Sequence, residues 1–233
     1  MQQNLTTVGF DADDTLWHNE RFFQLTQAHF ADLLADHAEK DHLMERLLVA
    51  ERRNIRHYGY GVKGFTLSMI ETAIEVTGDR VPASVIRKLI EAGQEMLAHP
   101  IELLPHARES IEALAESHRV ILITKGDLID QERKLAQSGL GELFDEVKIV
   151  SEKTPDVYLS IFARHGDGAD RAMMVGNSLQ SDVLPAIEAG GWGVHVPHGL
   201  VWEHEHAEAP EDAPRFRELP DLGALADLVH TLA

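Results

Sequence analysis

The sequence predicts an α/β protein: a doubly wound, Rossmann-like parallel sheet with an inserted all-α helical bundle. Three observations predict it. Short runs such as VILIT and AMMVG are apolar on consecutive residues, as strands covered on both faces are. Amphipathic helical segments separate these runs, which is the pattern of strand–helix–strand units. One long stretch, from about Glu20 to His99, carries helical periodicity only.

Taken in order, strands are expected at Thr7 to Ala12, Val120 to Thr124, Glu146 to Val150, Ala172 to Gly176 and Gly193 to Val196. Helices are expected from Ala107, from Leu128 with Gly139 as its stop, from Pro155 with Gly166 as its stop, and from Ser181. Inside the insertion, apolar stripes mark successive helices around Phe22 to Leu34, Leu43 to Ile55, Phe65 to Val76 and Val85 to Met96. The glycines of YGYGVKG, Tyr58 to Gly64, point to a tight exposed loop between the second and third of these. The core domain is therefore 1–17 and 101–233, and the helical domain 18–100. From His198 the chain reads as loop, followed by a terminal helix in DLGALADLVHTLA.

Composition narrows the function. A net charge of -18, from 21 Lys plus Arg against 39 Asp plus Glu, repels nucleic-acid backbones and anionic membranes. No nucleic-acid or membrane partner is expected; a small anionic substrate stays open, since a metal ion and one or two lysines can reverse the local sign, and the residues below narrow it to a small phosphorylated metabolite. The absence of cysteine removes disulfides, thiolate catalysis and thiolate metal sites. MQQNLTTVGF has no basic region followed by a long apolar run, so a cytoplasmic protein without a signal peptide is expected.

Ligands of open parallel sheets bind at the carboxyl ends of the strands. There the sequence offers Asp11, Asp13 and Thr15, then Thr124, Lys125 and Asp127, then Ser151 and Lys153, then Asn177, Ser178 and Asp182. His195 and His198 follow the fifth strand. Clustered carboxylates need compensation, and Mg²⁺ supplies it because it takes oxygen ligands. Lysine and threonine can hold phosphoryl oxygens, one carboxylate can attack, and another can move a proton. Singly, each has a plainer reading: a helix cap at Asp13-Asp14-Thr15, a surface lysine at Lys153, an ordinary turn at Gly176-Asn177-Ser178. Their joint occurrence at successive strand ends favours a Mg²⁺-dependent phosphoryl-transfer site.

Asp11-Ala12-Asp13-Asp14-Thr15, Thr124 closing VILIT, Lys153 and Gly176-Asn177-Ser178-Leu179-Gln180-Ser181-Asp182 together resemble, in order, the four motifs of the haloacid dehalogenase superfamily. The insertion lies where that family places its helical cap. The resemblance implies that Asp11 attacks phosphorus and carries an aspartyl-phosphate, and that Asp13 acts as general acid and then base. It implies phosphate binding by Thr124 and Lys153, here with Lys125 alongside, and a Mg²⁺ site of Asp11, Asp13, Asn177 and Asp182. Asn177 departs from the aspartate usual in the motif and removes one charge from the metal site. From the cap, Tyr60, Lys63 and Gly64 are expected to meet the rest of the substrate.

Other functions on the same fold are a phosphomutase, a 2-haloacid dehalogenase-type hydrolase and a catalytically weakened interaction protein. Asp13 favours a phosphate ester over a carbon–halogen bond, because halide leaves without a proton whereas an alkoxide needs one. His204 and His206 in VWEHEHAEAP read as a solvated loop rather than a zinc site.

Overall fold

A computed structural model describes residues 4–200, 202 and 207–232. His204 and His206 lie outside them. The sheet has six strands: β1 (Thr7–Phe10), β2 (Arg119–Lys125), β3 (Glu146–Val150), β4 (Ala172–Gly176), β5 (Trp192–His195) and β6 (Phe216–Glu218). Their order is β3-β2-β1-β4-β5-β6, and every pairing is parallel. β1 therefore lies between β2 and β4, where the winding changes direction and a crevice opens beyond the strand ends.

The consecutive apolar runs are explained by burial on both faces. Val120 and Leu122 join Val8, Phe10, Met173 and Val175 on one side, against Ile111, Leu114, Leu225 and Val229. Ile121, Ile123 and Met174 face the other side, against Tyr158, Phe162 and Ala186. The helices that supply these contacts are α5 (Ala107–Ala115), α7 (Pro155–His165), α8 (Leu184–Glu188) and α9 (Leu225–Leu232). Full burial of each large apolar side chain contributes about 1.5–3 kcal/mol, so alternate residues of one strand bind two helical layers to the sheet.

The chain divides into two compact units. One comprises the chain up to Glu20, Ile101–Lys125 and everything from Gln131 onward; the other is Arg21–Pro100 with Gly126–Asp130. The second contains α1 (Glu20–Leu33) from its second residue, α2 (Lys40–Tyr58), α3 (Val62–Val76) and α4 (Ala83–Ala98). Phe30, Leu34, Leu43, Leu47, Phe65, Met69 and Leu89 form its core. No helix among the described residues is long and apolar enough to cross a membrane.

Three sequence expectations are corrected. β1 stops at Phe10, because the chain turns immediately afterwards. The segment after His198 is not all loop, since Phe216–Glu218 joins the sheet edge as β6. The loop at YGYGVKG is shorter than its sequence suggests: only Gly59 to Gly61 lie outside helix, and Lys63 and Gly64 belong to the first turn of α3. Gly59 (φ 73°) and Gly61 (φ 107°) make that short turn possible.

Candidate active site

Beyond β1 the chain folds back within a few residues. Ala12 O accepts from Leu16 N at 2.8 Å, and Asp14 takes a left-handed φ of 62°. Trp17 then pairs with Asp13 on one side and Leu103 on the other. The tight turn gives the three aspartates separate surroundings.

Asp11 is buried and accepts from Lys153 Nζ, which also donates to Asp182 Oδ1 at 2.6 Å. Thr15 Oγ1 lies 3.1 Å from Asp11 Oδ2 and 3.2 Å from Asn177 Oδ1, and accepts from Asn177 N at 3.0 Å. One hydroxyl thus draws the ends of β1 and β4 together. Burial pushes the Asp11 carboxyl up to about 7, with Lys153 opposing and Asp182 adding to the rise. Burial alone would lower the Lys153 pKa, but the adjacent Asp11 and Asp182 carboxylates outweigh it and hold the ammonium charged.

Asp182 is buried in a π-helical turn, Leu179–Val183. Its Oδ2 accepts from Ser178 N at 3.0 Å. A Cβ on Gly176 would lie 2.2 Å from that oxygen, so only glycine lets the carboxylate pack against the end of β4. Thr124 is buried at the end of β2, opposite Ile149. Lys125 donates to Ser181 Oγ at 2.7 Å. His195 contacts Asn177 O through Nε2 at 3.1 Å and Glu218 through Nδ1 at 2.8 Å.

Asp13 is held by residues that the sequence did not single out. Oδ1 accepts from Trp17 Nε1 at 2.7 Å, Oδ2 from Gln131 Nε2 at 2.8 Å, and both from Lys134 Nζ at 3.0 Å. Gln131 and Lys134 lie on α6 (Leu128–Ser138). Polar residues three apart on a helix read as solvent-facing, and only their burial reveals otherwise.

Asp14 accepts from Asn19 N and Glu20 N, both at 2.8 Å, and fastens the chain entering α1. Its carboxyl is raised to about 6 by burial, against those hydrogen bonds and the nearby His198. Ligand atoms of Asp14, His18 and His198 come within 4.8 Å of one another. Both Asp14 oxygens already serve the backbone, and His198 Nδ1 contacts Leu200 O at 3.1 Å, so this cluster has a structural occupation.

Tyr60, Lys63 and Gly64 belong to the second unit. There Lys63 pairs with Asp127 at 2.9 Å, and a Cβ on Gly64 would lie 2.9 Å from Gly59 O. The Gly64 backbone therefore closes the α2–α3 turn.

Residues 5–190 match the haloacid dehalogenase-like hydrolase family. The chain belongs to that family. As such it is an enzyme, a hydrolase. A haloacid dehalogenase-like family hydrolase from Xanthomonas campestris is 42% identical, with a TM-score of 0.88 over 99% of this chain and 92% of that one. A glyceraldehyde 3-phosphate phosphatase of Methanothermobacter thermautotrophicus is 25% identical over 218 residues, 88% of this chain and 91% of the relative. One of the same name from Methanopyrus kandleri is 23% identical over 236 residues, 98% of this chain and 99% of the relative.

Proposed function

We propose that this haloacid dehalogenase-like hydrolase is a Mg²⁺-dependent phosphatase acting on a small phosphate monoester. The observation that carries the reading is the Lys153 ammonium shared between Asp11 and Asp182, with Thr15 joining Asp11 to Asn177. It gathers residues from the ends of β1, β3 and β4 around one carboxylate.

The donor set suits Mg²⁺. Asp11 Oδ2 and Asn177 Oδ1 converge on one hydroxyl, and oxygen ligands are what a hard cation takes. Asp11, Asn177 and the Asp13 carbonyl would hold the ion. Both Asp182 oxygens serve Lys153 and Ser178 N, which supports a role for Asp182 in placing the lysine and the motif-four loop. When bound, Mg²⁺ supplies positive charge beside the phosphoryl oxygens and Asp11.

Asp11 attacks phosphorus, forming an aspartyl-phosphate as the bond to the leaving oxygen breaks. Asp13, as the acid, gives that oxygen its proton and becomes a carboxylate. It then takes a proton from the water that attacks the phosphorus, which releases phosphate and regenerates Asp11 and the acid form of Asp13. Lys153 and Thr124, with Lys125 beside them, bind the phosphoryl oxygens. The family resemblance assigns Tyr60, Lys63 and Gly64 to recognition of the remainder of the substrate.

The phosphatase relatives put triose phosphates first among candidate substrates. Phosphate release from a panel of phosphorylated metabolites with millimolar Mg²⁺ tests the reading. Asp11→Asn is expected to lower release by at least ~100-fold, and chelation to abolish it reversibly. Equal release by wild type and Asp11→Asn would overturn it.

A further inference from the structure

The environment of Asp13 is unusual for a carboxylate at a loop. The Lys134 side chain is 9% exposed, although lysine normally keeps its head in water. Its ammonium donates to both Asp13 oxygens and, at 2.8 Å, to Asn19 Oδ1. Gln131 Nε2 donates to Asp13 Oδ2 and, at 3.3 Å, to Lys125 O. Its own Oε1 is buried and has no hydrogen-bond partner among the described residues. The amide is therefore oriented for its donors, at the expense of its acceptor. Trp17 Nε1 donates to Asp13 Oδ1, and the Asp13 side chain stays 23% exposed.

A pair formed merely by chance on a surface would be exposed, mobile and monodentate. Here the ammonium is buried and the carboxylate half-buried; the ammonium touches both carboxylate oxygens and is tied to the residue that precedes α1. We infer that Lys134, assisted by Gln131, is a positioning residue for Asp13. It fixes the carboxyl rotamer from which the proton is delivered to the leaving oxygen and later taken from water, the ammonium letting go of the protonated oxygen while Asp13 is the acid. The same ammonium links Asp13 to Asn19, so the proton-transfer group and the entry to α1 share one anchor. The inference rests on the acid–base role of Asp13 proposed above.

A double-mutant cycle with Lys134→Met and Asp13→Asn tests it, using an alkyl phosphate and p-nitrophenyl phosphate. Lys134→Met is expected to lower kcat for the alkyl ester by ~10–100-fold with KM within ~2-fold. The loss on p-nitrophenyl phosphate should be smaller, because nitrophenolate leaves without a proton. In the Asp13→Asn background the same substitution should change the rate less than ~2-fold. All four proteins are compared on the same steady-state release from p-nitrophenyl phosphate, the slow residual rate of the Asp13→Asn pair included. Lys134→Arg, which keeps a cation, should recover part of the loss.

A loss of the same size with and without Asp13, or a rise in KM alone, would overturn the inference. So would wild-type kcat in the Lys134→Met protein. Absence of Asp11-dependent hydrolysis in wild type would instead remove the underlying phosphatase reading, and this inference with it.

Discussion

Two carboxylate–cation networks in this molecule use the same chemistry under opposite conditions. Around Lys153 the ion pairs are enclosed, with side-chain exposures of 2% for Lys153 and 1% for Asp182. On the helical unit, Arg53 pairs with Glu71 at 2.9 Å and Glu75 at 3.0 Å, and Arg46 with Glu75 at 2.6 Å, yet the Arg53 side chain is 47% exposed. Distances alone would rank the two as equals. Burial separates them: water screens the second network, whereas in the first each charge depends on its neighbours. Charges held in that way are costly to the fold, and they stand where the proposed mechanism needs them.

Removing the cation from the enclosed network should have the largest effect. Lys153→Met leaves Asp11 and Asp182 buried without their partner. Urea unfolding in metal-free buffer is expected to show a loss of about 3–5 kcal/mol, together with loss of phosphate release. A loss below about 1 kcal/mol would erase the distinction between the two networks.

A smaller effect is expected from crowding one member. Gly176→Ala drives a methyl group into Asp182, and about 1–3 kcal/mol of stability should be lost by the same measurement. An unchanged midpoint would mean that Asp182 moves freely and that its enclosure is loose.

The smallest effect belongs to the exposed network. Arg53→Met should cost under about 1 kcal/mol after allowance for solvent screening, and less in high salt. Glu71 is held below the usual carboxylate range first by the Asn54 side-chain amide and then by Arg53; Glu75 is held down first by Arg46 and then by Arg53. Because the folded-state values are depressed, this stabilisation is present above the ordinary glutamate pKa. It disappears as pH falls through the lowered values. Thermal melts of wild type and Arg53→Met should therefore converge in acid; a gap that widens there would contradict the assignment.

The sequence made the fold legible where apolar pattern and burial coincide. β4, buried throughout, has the expected bounds, as does the half-buried β3, and the stripes of the insertion correspond to α1 through α4. β6 escaped notice because Phe216–Glu218 is short, partly exposed and charged, with no apolar run to mark it. The cluster of Asp11, Lys153, Thr15, Asn177 and Asp182 was legible because each residue follows a strand that is readable in itself. Gln131 and Lys134 were not, because their meaning comes from what lies opposite them across the fold rather than from their neighbours in sequence. Asp14 shows the converse. It sits inside the most conspicuous acidic run, yet its carboxylate is engaged by the backbone of Asn19 and Glu20.

The position of β1 has a consequence for how this enzyme can be divided. Thr7 faces Arg119 on one side and Ala172 on the other, so the first strand finds both its partners only far along the chain. Any fragment ending before β4 leaves one edge of β1 with open backbone groups and lacks Asn177 and Asp182 altogether. The proposed reactive centre is therefore not a portable module borne by a stretch of sequence. It is a property of the assembled sheet, held in common by segments far apart in the chain.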